Sequence, residues 1–497
     1  MRMAIGRIAV AILGLVLQIA LLVFLNVFFA EHVIIVDLCY TIGALLLVLH
    51  IVRKSSNYSY TLPWIIILLM FPLVGAVLYV VLGQNKKRSK MLKSIKKQSK
   101  ISSKYLEQDK SIKFGNNGRL KYISNFSNYP VTCNNDIDYY PLGEEAFPEM
   151  LEELKKAKKF IFLEYFIVNQ GKMWNSILKI LEQKAKEGVE VRVMYDDFGC
   201  VALLDKKYPQ ELEKKGIKCV PFNRLNIFVG IIMNNRDHRK ILVIDGKVAF
   251  TGGINLADEY INIGSKYGHW KDNAIKISGD AVWSYTVMFL TMWNSERHED
   301  EDYSKFKYDF KNRKNNRGFV APYADSPLDE EITGEDVYLN IINQAKDYIY
   351  IMTPYLIIDT DMTNALCLAA KRGVDVRVII PGIPDKKIVY TLSESYVEPL
   401  MKGGVKVYKY TPGFVHAKVF VADDHIATVG TINLDYRSLY LHFECGCYME
   451  DMSVVKSIKK DAVETLEKSA LFTLKESRVG FRKGVFQSIL RLIAPLL

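Results

Sequence analysis

Residues 238–255 read HRKILVIDGKVAFTGGIN, and residues 416–433 read HAKVFVADDHIATVGTIN. Both follow one frame: His-x-Lys-x4-Asp, with a glycine seven residues and an asparagine ten residues beyond the aspartate. At ordinary residue frequencies such a frame is rare even once, and two copies in one chain leave little room for accident. The runs KILVID and KVFVAD are apolar and rich in β-branched residues, the pattern of buried strands. Side chains two apart on a strand share a face, so His238 and Lys240 project together, as do His416 and Lys418. Asp245 and Asp423 complete the motif and are counted with its catalytic candidates, but they lie an odd number of residues from their lysines, which favours holding the following turn over touching a substrate. That turn brings the chain back, and Asn255 and Asn433 can rejoin the histidine face.

Working outward, the chain repeats itself. Residues 154–168 (LKKAKKFIFLEYFIV) and 343–357 (NQAKDYIYIMTPYLI) both run from a helical pattern into a buried strand. Residues 188–194 (GVEVRVM) and 373–379 (GVDVRVI) are nearly the same strand, and Gly216-Ile217-Lys218 and Gly404-Val405-Lys406 open a third pair. Helical and β-branched segments alternating at this length predict an α/β fold with mixed, largely parallel sheets. Two similar domains are expected, at 126–315 and 318–455. Facing each other across a pseudo-two-fold axis, they would form one pocket holding two histidines, two lysines and two asparagines. Such a pocket suits a phosphodiester: the lysines and amides stabilise developing charge, one imidazole attacks phosphorus and the other protonates the leaving alkoxide. No metal and no cofactor is expected, because two lysines supply the charge a divalent ion would. His32, His50, His298, His425 and His442 are read as structural.

The apolar content is 49%, and part of it is concentrated at the start of the chain. Residues 8–30 and 62–82 are uncharged, predominantly apolar runs long enough to cross a bilayer, and residues 33–52 form a weaker third. The first run is too long for a signal peptide. Residues 1–85 are therefore expected to be a membrane anchor of transmembrane helices, two or three in number. Residues 86–100 (KKRSKMLKSIKKQSK) carry eight basic residues and no acid. They open a polybasic juxtamembrane linker, 86–125, on the cytoplasmic side, where it would attract an anionic lipid bilayer. The tail, 456–497, is basic too, and residues 480–497 have the pattern of an interfacial amphipathic helix. The net charge of +11 thus sits at the two ends, leaving a mildly acidic middle. A polynucleotide-binding core would be basic, so nucleic acid is disfavoured as a partner. Seven cysteines without paired spacing argue against a disulfide framework and a structural zinc site.

The two motifs, with their GGIN and GTIN continuations, resemble those of the phospholipase D superfamily. Together with WIIILLMFPLVGAVLYVVLG, FLEYFIV, YDDFG, GGINLADEY, HWKD, TPYL and GTINLDYRS, they make nearly the whole chain similar to bacterial cardiolipin synthases. The resemblance implies duplicated phospholipase D-like domains around a pseudo-two-fold active site in a multi-pass protein of the bacterial cell membrane. It implies transfer of a phosphatidyl group from one phosphatidylglycerol to another, with release of glycerol. His238 would be the nucleophile, forming a phosphatidyl-histidine, and His416 the general acid and then base. Lys240, Lys418, Asn255 and Asn433 match phosphate-binding positions. Glu444 matches a histidine-orienting carboxylate in the second half, and Asp272 of HWKD is the candidate in the first. One departure is Gly253, where the family often has serine. The same residues would serve a phospholipase D-type hydrolase or a phosphatidyltransferase with a different acceptor alcohol.

Overall fold

The computed structural model describes residues 33–54, 58–79, 90–224, 235–264, 266–310, 318–328 and 331–496, with positions 20 and 24. The chain divides into two compact units, one of residues 1–89, 226–233 and 488–497 and the other of residues 90–225 and 234–487.

In the first unit the helices Val33–Lys54, Tyr58–Met70 and Pro72–Leu78 pack through Ile51, Leu68 and Tyr79. The apolar run 62–82 is not one straight helix. Pro72 has no N–H to give and forces Phe71 out of helical geometry (φ −139°, ψ 73°), so the run is interrupted there. No described helix is long and apolar enough to cross a membrane. The run 8–30 lies almost wholly outside the described residues.

The second unit carries both motifs. Its first half supplies β1 (Asn135–Tyr140), β2 (Phe160–Tyr165), β3 (Glu190–Asp196), β4 (Lys218–Phe222), β5 (Lys240–Ile244), β6 (Val248–Gly252), β7 (His269–Lys271) and β8 (Ala274–Gly279). The second half supplies β9 (Phe319–Asp325), β10 (Tyr348–Met352), β11 (Leu356–Ile357), β12 (Asp375–Pro381), β13 (Lys406–Tyr410), β14 (Gly413–Val415), β15 (Val419–Ala422), β16 (Ile426–Gly430), β17 (Leu434–Asp435), β18 (Glu444–Glu450) and β19 (Ser469–Leu471). The first large sheet runs β1-β8-β6-β5-β2-β3-β4, and the second runs β9-β18-β16-β15-β10-β12-β13-β19. The wiring is the same, with β19 added at one edge, so the duplication read in the sequence is a duplication of topology.

The expectation of largely parallel sheets is corrected. Only β2–β3, β3–β4, β10–β12 and β12–β13 pair in parallel within the two large sheets; every other neighbouring pair is antiparallel. Parallel neighbours need a crossover, and the motif strands have none. β5 returns into β6 through Asp245 and Gly246, both at positive φ (53° and 67°), and β15 into β16 through Asp423 and Asp424 (52° and 60°). These tight turns make each motif a hairpin.

The helix Val282–Arg297 is buried on all sides for most of its length, and the hydroxyls of Thr286, Thr291 and Ser295 donate to carbonyls one turn back, which lets them be buried with its apolar residues. It joins Phe162 and Val243 of the first sheet and Met352, Val421 and Cys447 of the second in a single core cluster. Two boundaries also move. The described part of the expected linker, residues 90–125, is docked: the helix Lys90–Ser102 buries Leu92 and Ile95, and Ser94 Oγ donates to the Ser295 carbonyl at 2.8 Å. An apolar stripe at helical spacing inside the lysine run explains this. The second half also continues past residue 455. The helix Val454–Glu467 buries Val455, Ile458 and Ala462, and β19 covers the edge of β13.

Candidate active site

Each histidine sits just ahead of the first strand of its hairpin, His238 before β5 and His416 before Val419 of β15. Backbone pairing between the halves fixes their approach. The His238 N–H donates to the Phe443 carbonyl at 2.9 Å, and the Phe443 N–H donates to that of Arg236 at 2.8 Å. In the other half β14 pairs in parallel with β7, and the His416 N–H donates to the Lys271 carbonyl at 2.7 Å. Each histidine is thereby laid beside the residue that precedes a carboxylate of the opposite half.

The consequence is a crossed pairing. His238 Nδ1 lies 2.8 and 3.0 Å from the two oxygens of Glu444, and His416 Nδ1 lies 2.6 Å from Asp272 Oδ2. Both carboxylates proposed from the resemblance are at the site, and each orients the histidine of the other half. Thr431 Oγ1 donates to Glu444 Oε2 at 2.5 Å. The matching position is Gly253, where a Cβ would fall 1.9 Å from Asp272 Oδ1. The hydroxyl missing from the first motif is therefore excluded by the carboxylate itself.

With Nδ1–H donated to a carboxylate, Nε2 of each ring is the nitrogen left for a substrate. Burial pushes His238 down to about 3, against the pull of Glu444. Burial and the nearby Lys418 ammonium push His416 down to about 4. Burial opposes ionisation of Glu444 and Asp272, but the imidazole each one faces prevails and holds both below the usual carboxylate range. At neutral pH the resting site thus holds two neutral imidazoles against two carboxylates, the state an attacking Nε2 needs.

Lys240 and Lys418 are buried beside them. Lys240 Nζ donates to the His238 carbonyl at 2.6 Å, and Lys418 Nζ to the His416 carbonyl. Burial pulls Lys240 down to about 8 and Lys418, which also faces Lys240, to about 7. An arriving phosphate monoanion would restore full charge to both. Asn255 Oδ1 accepts from the Ile167 N–H at 3.1 Å, and its Nδ2 donates to Tyr260 Oη at 2.7 Å. Asn433 Oδ1 is buried without a hydrogen-bond partner among the described residues.

Asp245 and Asp423 are at the far ends of their strands. Asp245 accepts the N–H groups of Lys158, Lys159 and Phe160 at 2.9, 2.7 and 2.9 Å. Asp423 does the same for Lys346, Asp347 and Tyr348 at 2.8, 2.9 and 3.0 Å. Both tie the hairpin turn to the start of the neighbouring strand.

Several residues at the site carried no assignment in the sequence. Arg239 Nε donates to the Glu444 carbonyl at 3.3 Å, so the residue between the motif's histidine and lysine holds the orienting carboxylate's backbone. Phe166 of FLEYFIV packs edge-on against His238 at 4.9 Å. Tyr260, Trp270 and Phe414 surround the His416 ring at 5.3, 5.4 and 5.9 Å. His442, read as structural, lies against His238 with ring centroids 5.6 Å apart and its Nδ1 3.7 Å from Glu444 Oε1. The signal for it was its place two residues before Glu444 in the run LHFE.

Paired His–Lys sets in a duplicated sheet, each histidine braced by the other half, define a phospholipase D-like enzyme. A family model described as "Cardiolipin synthase, PLD-like domain" matches residues 150–293 and 338–465, and one described as "Phospholipase_D-nuclease N-terminal" matches residues 42–84. A Streptococcus mutans protein described only as uncharacterized is 46% identical over 90% of this chain and 99% of its own length. A cardiolipin synthase of Halalkalibacterium halodurans is 34% identical over 92% of this chain and 93% of its own. A phosphatidylserine synthase of Haemophilus influenzae has a similar fold, with a TM-score of 0.58 at 16% identity over 76% of this chain and 98% of that one. The chain belongs to the cardiolipin synthase family of phospholipase D-like proteins and is, with that family, a phosphatidyltransferase.

Proposed function

We propose that the protein is a cardiolipin synthase that joins two phosphatidylglycerol molecules and releases glycerol. The observation that carries this reading is the crossed pair, His238 on Glu444 and His416 on Asp272, in a chain similar to cardiolipin synthases over nine-tenths of its length. His238 Nε2 attacks the phosphorus of the first phosphatidylglycerol. The bond to the glycerol oxygen breaks, and His416 gives that oxygen a proton from Nε2. The resting His416 is neutral, so it must first take a proton up; the phosphate monoanion beside it favours this. A hydroxyl of the second phosphatidylglycerol then gives its proton to His416 and attacks phosphorus, and the N–P bond breaks. Lys240 and Lys418 neutralise the non-bridging oxygens throughout.

The protein is proposed to sit in the bacterial cell membrane with its catalytic unit on the cytoplasmic face of an anionic bilayer. The apolar runs 8–30, 33–52 and 62–82 and the basic residues 86–100 support this. Confinement to that surface raises the acceptor's effective concentration against water.

The test is purified protein in phosphatidylglycerol vesicles, with lipids and free glycerol quantified by mass spectrometry. Cardiolipin and glycerol in equal amounts are expected. Phosphatidic acid with glycerol would make water the acceptor and the protein a hydrolase, and a product with another added alcohol would make it a transferase of different acceptor.

A further inference from the structure

The two halves of the site differ in one respect that the transfer chemistry does not use. The His416–Asp272 pair is enclosed by aromatic rings, whereas the His238–Glu444 pair has a third titratable group, His442. The His442 side chain is only 10% exposed. Both of its ring nitrogens are shielded from solvent and have no hydrogen-bond partner among the described residues. An imidazole placed in this way costs free energy that an apolar side chain would not. One ligand atom from each of His238, His442 and Glu444 lies within 4.8 Å of the others.

Two imidazoles and one carboxylate form the donor set of a borderline divalent cation of the zinc class, and not the all-oxygen set of magnesium or calcium. Ligand atoms around such an ion, at bonds of about 2.0–2.2 Å, stand roughly 3.3 Å apart. His442 Nδ1 is 3.7 Å and His238 Nδ1 is 2.8 Å from Glu444 Oε1, and the two histidines offer ligand atoms within 4.8 Å of each other, so side-chain shifts can bring the set to that spacing.

We propose that His238, His442 and Glu444 form a latent site for a zinc-class divalent cation, and that its occupation switches transfer off. On binding, the His238 Nδ1 proton is released to solvent and the Nδ1 lone pair goes to the metal. The Glu444 charge is then spent on the cation. His238 loses the acceptor that sets its tautomer and raises its nucleophilicity. The site is inhibitory because the cation takes the two things the proposed transfer draws on here, the His238 Nδ1–H and the Glu444 charge. The inhibition rests on the proposed role of His238; the binding does not.

The test is full-length protein in detergent, titrated with zinc alone against a chromophoric chelator, alongside transfer rates with and without zinc. One zinc bound per chain in the micromolar range or tighter is expected, with transfer lost as the site fills and restored by a chelator. His442→Asn should weaken binding by more than the ~10–100-fold that losing an outer-shell partner costs. It should reduce the sensitivity of its own metal-free rate to zinc by the same factor. His425→Ala, which removes an exposed histidine paired with Asp451, should change neither. If His442→Asn does not fold, the cobalt form of the unaltered protein decides: a tetrahedral visible spectrum with mixed nitrogen and oxygen ligands is expected. Absence of stoichiometric zinc binding, or equal binding by His442→Asn, overturns the proposal. Binding at this site with no effect on transfer would leave the site standing and count against the nucleophilic role of His238.

Discussion

Thr431 and Gly253 hold matching places in the two motifs and do opposite things there. Thr431 gives Glu444 a hydroxyl hydrogen bond, whereas Gly253 gives Asp272 room. Thr431→Val keeps the shape and removes the donor. A hydrogen bond to a charged group contributes roughly 1.5–3 kcal/mol, so turnover should fall by about ten- to a hundredfold. The donor favours the carboxylate form, so its loss lets the His238–Glu444 pair take up a proton at higher pH. The acidic limb of the pH–rate profile should therefore move upward; a fall in rate with an unmoved limb would mean that the hydroxyl only packs. Gly253→Ala is the converse experiment. Its Cβ would displace Asp272, so stability should change less than turnover, which should fall at least a hundredfold with loss of the His416 partner. The sequence already announced the histidines and lysines at this scale, because two residues apart on a strand means one face. It did not announce which carboxylate serves which histidine, since that depends on backbone pairing between segments some 140 to 200 residues apart.

The hairpin is the element that makes the motif, and its aspartate belongs to the turn. The odd spacing from Lys240 to Asp245 already turned the aspartate away from the histidine face, and the three N–H groups it accepts give the reason for its place. Asp245 is buried and Asp423 half-exposed, which grades the expected losses. Asp245→Ala should cost about 3–4 kcal/mol of stability and Asp423→Ala about 2 kcal/mol, measured by denaturant unfolding. Turnover per folded molecule should stay within a few-fold of the parent in both. A hundredfold loss in a folded Asp245→Ala protein would return the residue to the chemistry. The same element defeated the expectation of parallel sheets, because strand composition carries no direction and only the short DG and DD turns could have indicated it. Composition likewise hid the docked helix Lys90–Ser102, whose apolar stripe is masked by lysines. The C-terminal helix Phe481–Ile493 follows its pattern more closely. Lys483 pairs with Glu394, and Gln487 donates to the Thr391 carbonyl, while Phe481 is left 88% exposed with Val485 and Phe486 beside it. An apolar face turned outward in this way suits the bilayer surface proposed above.

At the scale of the whole molecule, the crossed pairing makes one site out of two incomplete halves. The first half holds His238 but needs Glu444, and the second holds His416 but needs Asp272. The buried helix Val282–Arg297 and the common core cluster lock the halves together, so all four groups come from one chain. A consequence can be measured without any structural method. His238→Ala and His416→Ala chains should each be inactive in the vesicle assay, and mixing or co-expressing them should restore nothing. If subunits instead exchanged halves, as in a site assembled from two copies, a mixed assembly would recover a fraction of the parent rate. Recovery of even a tenth would contradict a site completed within one chain, whereas a rate at background across all mixing ratios is the outcome the crossed pairs require. The duplication was legible from the sequence because both copies kept the same residues. The crossing was not, because two copies that served themselves would have left the same pattern in the chain.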